Sequence, residues 1–406
     1  MPLPELTPAS ESDQLIPPSQ DPWYISAPPN LETYAPGTVL RIRAIPGGPR
    51  VFQNASAASL LIPKKPFVSS TGHSALLSNQ NAYNTVNVDH SVSYSFFFPS
   101  EANSFGIPAG HERFDLMLER GWFVSMPDFE GPRAAFGTSV LAGHATLDGI
   151  RAVLSLAGQA EYPLPDSADK FKYAMWGYSG GSLASEKAAE LQVQYAPELA
   201  SGFVGAALGG LVSNGATVWE SNNKTPYAGN LVLIFLGVMN EYPEFDAHVR
   251  SRLKTEGPYN AEGFLKGLTM HSLLAFQAFA NQDIYEYFVG GREAIESSAI
   301  YRKVRNVEWT LGFHGCPTMP LYVYKAIADE MTSIVDTDEQ IAGYKRFGAS
   351  ILYERNKAGG HIHEIVNGQG RALEWLIGVL EHSHVQEGVT IRDVTVDEYK
   401  PPVPGA

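Results

Sequence analysis

The rhythm of apolar residues changes along this chain, and that rhythm predicts its elements. Before about Pro36 there is no period. The segment is rich in Pro, Ser and acids and is expected to lie as an arm over the surface. Short apolar runs at 39–45 and 59–62, flanked by Gly or Pro, predict strands. From His111 onwards helical spacing alternates with buried strands. A helix over 111–120 stops at Gly121, and a strand over 122–126 closes at Pro127-Asp128. A helix over 141–156 carries Leu147, Ile150, Val153 and Leu154 on one face. A strand over 172–176 and an Ala-, Glu- and Lys-rich helix over 180–195 follow. This alternation predicts an α/β fold, a mostly parallel central sheet with helices on both faces.

Between 213 and 305 the alternation breaks. Helical stretches over 231–239, 244–253, 261–279 and 293–304 follow one another with no convincing strand between them, which predicts a helical insertion. Alternation resumes with a strand over 320–327, a helix over 338–347, a strand over 350–354 and a last helix over 368–382. The expected organisation is an arm over 1–36, a core formed by 37–212 and 306–385, an inserted lid over 213–305, and a Pro-ended tail over 386–406.

Composition removes several classes of function. With 406 residues, 44% of them hydrophobic and 18% charged, the chain can bury a large core. Its 29 basic and 43 acidic residues leave a net charge of −14, which repels phosphate backbones, so no nucleic-acid partner is expected. The longest apolar runs fall far short of the roughly 20 residues a bilayer span requires, so no transmembrane segment is expected. Cys316 is the sole cysteine, which excludes an intrachain disulfide and a thiolate zinc cluster. The start of the chain has neither a basic nor an apolar run of the kind a signal peptide uses. With one cysteine, this predicts a cytoplasmic protein, or a secreted one if the natural start lies further upstream.

The informative segment is Gly177-Tyr178-Ser179-Gly180-Gly181, set between a predicted strand and a predicted helix. A serine on a sharp strand-to-helix turn is held in a strained conformation with its hydroxyl clear of the sheet. The first amides of the following helix, led by Gly180, are aimed where an oxyanion would develop. The bland alternative is a Gly-Ser turn capping a helix. A nucleophilic serine needs a histidine and an acid, which follow it in this chain order. Asp329 comes just after the strand over 320–327, whereas Asp336 and Asp338 suit a helix start. Gly359-Gly360 precedes His361 and His363, and a flexible glycine loop could deliver either imidazole; loop position favours His361. His144 and His314 read as packed polar residues. No metal-ligand spacing, dinucleotide fingerprint or P-loop is present, and the chemistry calls for no cofactor.

Taken with Pro36-Gly-Thr-Val-Leu-Arg41, Gly121-Trp-Phe-Val-Ser-Met-Pro-Asp128-Phe-Glu-Gly131 and Ala142-Gly-His-Ala-Thr-Leu-Asp148-Gly-Ile-Arg151, the serine motif and Ala328-Asp329 resemble the fungal secretory lipase family, of the Candida antarctica lipase A type. The resemblance covers most of the chain from about Asp21. It implies an α/β-hydrolase core with a helical lid inserted after the nucleophile half, and a triad of Ser179, Asp329 and His361. It also implies an aspartate beside the oxyanion hole on an early loop, where Asp89 of Val88-Asp89-His90-Ser91 occupies the similar position. Three features set the chain apart from secreted relatives: no paired cysteines, no leader, and Phe96-Phe97-Phe98 where small residues and a cysteine are usual. They point to ester removal from a natural product inside the cell.

The expected function is hydrolysis of a lipophilic small-molecule ester through an acyl-enzyme. The same fold and triad could instead serve transacylation, elimination or cyclisation of a secondary metabolite. A non-catalytic binding scaffold is the rival from another class, but it normally accompanies loss of the serine or the histidine.

Overall fold

The computed structural model describes residues 6–8, 16–26, 30–44, 50–53, 56–96, 114–382, 384 and 386–399. Among them eleven strands join in one sheet: β1 (Leu6–Pro8), β2 (Arg41–Ala44), β3 (Arg50–Gln53), β4 (Ala57–Leu61), β5 (Ser74–Gln80), β6 (Phe123–Pro127), β7 (Phe171–Tyr178), β8 (Phe203–Gly209), β9 (Leu321–Ala326), β10 (Ile351–Asn356) and β11 (Val389–Val394). The spatial order is β1-β2-β3-β4-β6-β5-β7-β8-β9-β10-β11. From β6 to β11 every neighbour is parallel, whereas β2, β3, β4 and β6 pair antiparallel. The fold is thus α/β with a mostly parallel sheet.

The central strands are buried on both faces, and their alternation feeds two separate cores. Tyr173 and Met175 of β7 and Leu321 and Val323 of β9 join Leu147, Ile150, Leu191 and Ile341 on one side. Ala174, Trp176, Tyr322 and Tyr324 join Trp375, Leu376 and Val379 on the other. Helices therefore cover both faces: Ser139–Ser155 and Gly180–Tyr195 on the first, His361–Glu381 on the second.

Several expected elements move. β1 lies within the expected arm, and the strand expected over 39–45 spans Arg41–Ala44; Ile45 lies outside the described residues, as do 111–113 of the helix seen at Phe114–Glu119. Phe97 and Phe98 are outside them too. β5 escaped prediction because its Ser74, Ser78, Asn79 and Gln80 are buried polar residues. Gln80 is satisfied by side chains, donating to Ser78 Oγ at 2.7 Å and accepting from Ser185 Oγ at 2.8 Å. In β8 glycine hides the strand. A Cβ on Gly205 would lie 2.3 Å from the Trp375 ring, so packing rather than propensity selects glycine. The expected tail contains β11, an edge strand whose side chains are mostly exposed. The last helix starts at His361 instead of 368.

Between β8 and β9 the chain is helical, from Gly215–Asn222 and Ala228–Glu241 to Ala299–Glu308. Among the described residues this stretch offers only isolated bridges, Asn214 to Thr310 and Leu253 to Phe288. The helix expected over 261–279 is broken into Ala261–Leu265, a 3₁₀ turn at Lys266–Thr269, and Ser272–Phe279, where His271 Nδ1 accepts from Leu274 N–H. One hydrophobic cluster packs these helices together through Trp219, Leu231, Phe235, Phe245 and Phe264, and it also takes in Val86 and Phe136 from earlier in the chain and Trp309 after them.

Candidate active site

β7 ends at Tyr178 and the helix Gly180–Tyr195 begins two residues later, so Ser179 must make the whole turn. It does so at φ 52° and ψ −120°, a conformation costing about 1–3 kcal/mol that the packed surroundings must hold. The flanking glycines have steric causes. A Cβ on Gly177 would sit 2.2 Å from Gly181 O, and one on Gly181 would sit 1.8 Å from Gln80 O. Gly181→Ala is accordingly expected to abolish soluble expression, because the obstacle is backbone; recovery of folded protein by circular dichroism would refute this.

Ser179 Oγ is 2.9 Å from His361 Nε2, and His361 Nδ1 is 2.8 Å from Asp329 Oδ2. An ionised carboxylate only accepts, so Nδ1 carries the hydrogen and Nε2 is left to accept from the serine hydroxyl. Asp329 is fixed from several sides. Met331 N–H and Thr332 N–H donate to Oδ1 at 3.0 and 2.8 Å, and Thr332 Oγ1 donates to Oδ2 at 3.0 Å. Burial pushes this carboxyl towards the neutral form, but His361, Lys325 and the Thr332 amide outweigh it and hold the group well below the usual carboxylate range.

His361 opens its helix, with 2% of its side chain exposed. Its N–H donates to Glu330 Oε2 at 2.8 Å, and its carbonyl accepts from Tyr178 Oη at 2.6 Å. Glu330 also accepts from Tyr227 Oη at 3.0 Å, which ties the helical insertion to the histidine's backbone. The Gly359-Gly360 pair allows close packing rather than flexibility: a Cβ on Gly360 would fall 2.1 Å from Glu330 Oε2. His363 is turned elsewhere. Its Nδ1 accepts from Gly360 N–H at 3.2 Å and its ring stacks edge-on with Tyr399. Asp336 accepts from Thr217 Oγ1, and Asp338 pairs with Arg355 at 3.3 Å. His144 packs on Tyr195, and His314 lies against Lys187 and Glu190.

The early loop corrects the expectation for Asp89. Asp89 accepts from Ser19 N–H and Oγ at 2.7 and 2.8 Å, so its carboxylate fastens the N-terminal segment. Asn84 is the residue of this loop that reaches Gly180: a Cβ there would lie 2.2 Å from Asn84 Oδ1, a buried atom without a hydrogen-bond partner. Asn84 sits at φ 44°, where Asn is among the few tolerated side chains. A cavity opens beside Ser179 and Gly180, with Asn84, Phe136 and Leu183 from the core and Trp219, Asn230 and Ile234 from the insertion in its walls.

The family model for secretory lipases matches residues 98–388. The chain belongs to the secretory lipase family. It is 39% identical to a trichothecene C-3 esterase of Fusarium sporotrichioides over 95% of this chain and 89% of that one. It is 38% identical to a probable trichothecene esterase of Stachybotrys chartarum, over 94% and 81% respectively. In fold it is similar to Candida antarctica lipase A, with a TM-score of 0.80 and 22% identity over 94% of this chain and 90% of the other. This secretory lipase family member is therefore a hydrolase acting on esters, built on the α/β-hydrolase fold. The cytoplasmic location expected from composition is overturned by membership of a secretory family, which points to an extracellular protein.

Proposed function

We propose that Ser179, His361 and Asp329 are the catalytic triad of this ester hydrolase, acting on a lipophilic natural-product ester. The observation that carries the reading is the continuous hydrogen-bonded line from Ser179 Oγ through the imidazole to a buried carboxylate. In the first step Ser179 Oγ bonds to the ester carbonyl carbon while His361 Nε2 takes its proton. The tetrahedral oxyanion faces the Gly180 N–H at the start of the helix. Collapse breaks the bond to the alcohol oxygen, which receives the proton from His361. Water then repeats the sequence on the acyl-serine and releases the acid. Asp329 holds the imidazole tautomer throughout. The similarity to a trichothecene C-3 esterase and a probable trichothecene esterase supports a natural-product ester of that kind as the substrate. The insertion over 213–305 acts as a lid, since its Trp219, Asn230 and Ile234 wall the cavity and shield the bound ester from bulk solvent.

The same cavity argues for a short acyl group. Three large rings, Phe136, Trp219 and Trp309, stand in its wall together with Ser179 and Gly180. Its wall is rigid, because Trp219 is fully packed against Phe235 and Trp309, with ring centroids 4.5 and 5.6 Å away. On a series of esters of one alcohol, kcat/KM is expected to peak at about two to four acyl carbons and fall at least tenfold by about eight. Faster turnover of octanoyl or palmitoyl esters than of acetyl esters would refute the short-acyl part of the proposal.

A further inference from the structure

Behind the triad lies a residue that the hydrolytic scheme does not use. Lys325 stands near the end of β9, in Leu321-Tyr-Val-Tyr-Lys-Ala326, where a strand buried on both faces should carry an apolar side chain. Its side chain is fully buried. Its ammonium donates to Leu211 O and to Thr332 Oγ1, both at 2.6 Å. Thr332 Oγ1 in turn donates to Asp329 Oδ2, and Lys325 Nζ is itself 3.6 Å from that oxygen. The line of hydrogen bonds thus runs from Lys325 through Thr332, Asp329 and His361 to Ser179.

We propose that Lys325 is a positioning residue for this line, its buried ammonium balancing the charge of Asp329 so that His361 keeps its proton-accepting form further into acid than a bare Asp–His pair would allow. The proposal rests on the triad reading above. A buried ammonium is costly unless paired, and nothing about the fold of β9 demands one. What it supplies is a positive charge near the imidazole, which opposes a second positive charge there. Lys325 Nζ and His361 Nδ1 lie 3.6 and 2.8 Å from the same Asp329 oxygen, so a positive charge on either raises the cost of one on the other.

The other charges around the pair act in the opposite sense. Glu330 accepts from the His361 N–H, and Glu364 lies one turn further along the same helix. Asp336 and Asp338 face Lys325 from the helix Ile334–Arg346. Arg371 is engaged by Glu354 and Glu364, and Arg355 by Asp338 and Asp393. The neighbouring hydroxyls are Tyr178, whose burial pushes its ionisation far up, and Tyr324. Among these groups Lys325 is the cation placed against Asp329. Burial pulls the Lys325 ammonium down to about 8, with Asp329, Asp336 and Asp338 working against it, so it stays charged across the acid range.

The test is kcat/KM against pH, from about 3.5 to 9, for wild type, Lys325→Gln, Lys325→Met and Lys325→Arg. Gln can still donate to Leu211 O and Thr332, so it removes the charge while keeping the packing, and it guards against loss of the fold in the Met variant. Both neutral variants are expected to move the acid limb upward by about one to two pH units while retaining, on the high-pH plateau, activity within about tenfold of wild type. Arg should leave the limb near its wild-type position. A limb that stays in place in folded Lys325→Gln, with only the plateau lowered, would mean a purely structural lysine and overturn the proposal. Failure of the triad reading is separately visible, as persistent hydrolysis by Ser179→Ala.

Discussion

Ser179→Ala is expected to lose at least about 10³-fold in ester hydrolysis while the protein stays folded. The loss follows because Oγ is the only atom removed, and it is the atom held 2.9 Å from His361 Nε2. No other hydroxyl replaces it: Ser182 Oγ donates to Ser179 O and Ser185 Oγ is engaged with Gln80 and Gly181. The fold should survive, since alanine bears the positive φ of the turn no worse than serine and the elbow is enforced by the contacts of Gly177 and Gly181. The measurement is steady-state hydrolysis of an acetyl ester beside labelling by a fluorophosphonate. Labelling should vanish and the melting temperature should shift by only a few degrees. Hydrolysis within tenfold of wild type would sink the nucleophile assignment, leaving fold and family untouched.

Legibility in the sequence followed uniformity of environment. The helix Gly180–Tyr195 agrees end to end with its predicted span, and β9 and β10 differ only at their edges. Each carries a regular pattern of apolar residues along its length. β5 and β8 were invisible because their residue choices answer to contacts distant in the chain: Gln80 to the elbow helix, Gly205 to Trp375. The same contrast governs the site. Ser179 could be read locally, since the glycines that permit its turn are its own neighbours. Asp329 and His361 could be read from chain order, although His361 proved to open a helix. The loop beside Gly180 could not be read, because Asp89 and Asn84 are both polar residues on one irregular segment and only tertiary packing brings Asn84 against Gly180. One signal was present but unused: Asn is a residue that tolerates positive φ, and Asn84 takes it. Lys325 was equally visible, a charge within an aromatic and aliphatic strand.

Asp329→Asn is expected to cost on the order of 10⁴ in kcat/KM, the scale of the equivalent change in a serine protease. The amide oxygen can keep the Met331 and Thr332 amides that now bind Oδ1. Its NH₂ group then occupies the Oδ2 position, facing His361 Nδ1, Thr332 Oγ1 and the Lys325 ammonium. A donor there forces Nδ1 to accept, so the imidazole hydrogen moves to Nε2 and points at Ser179, which can no longer hand over its proton. The variant also leaves the buried Lys325 without its nearest anion, so the melting temperature should fall measurably, which Ser179→Ala does not share. The neighbouring acids provide the contrast. Asp336→Asn disturbs one hydrogen bond from Thr217, and Asp338→Asn one half-exposed ion pair with Arg355, a contact worth at most about 1 kcal/mol. Both should retain activity within about fivefold of wild type. If Asp336→Asn proved the more damaging of the three, the acid would have to be reassigned to Asp336, with Ser179 and His361 unchanged.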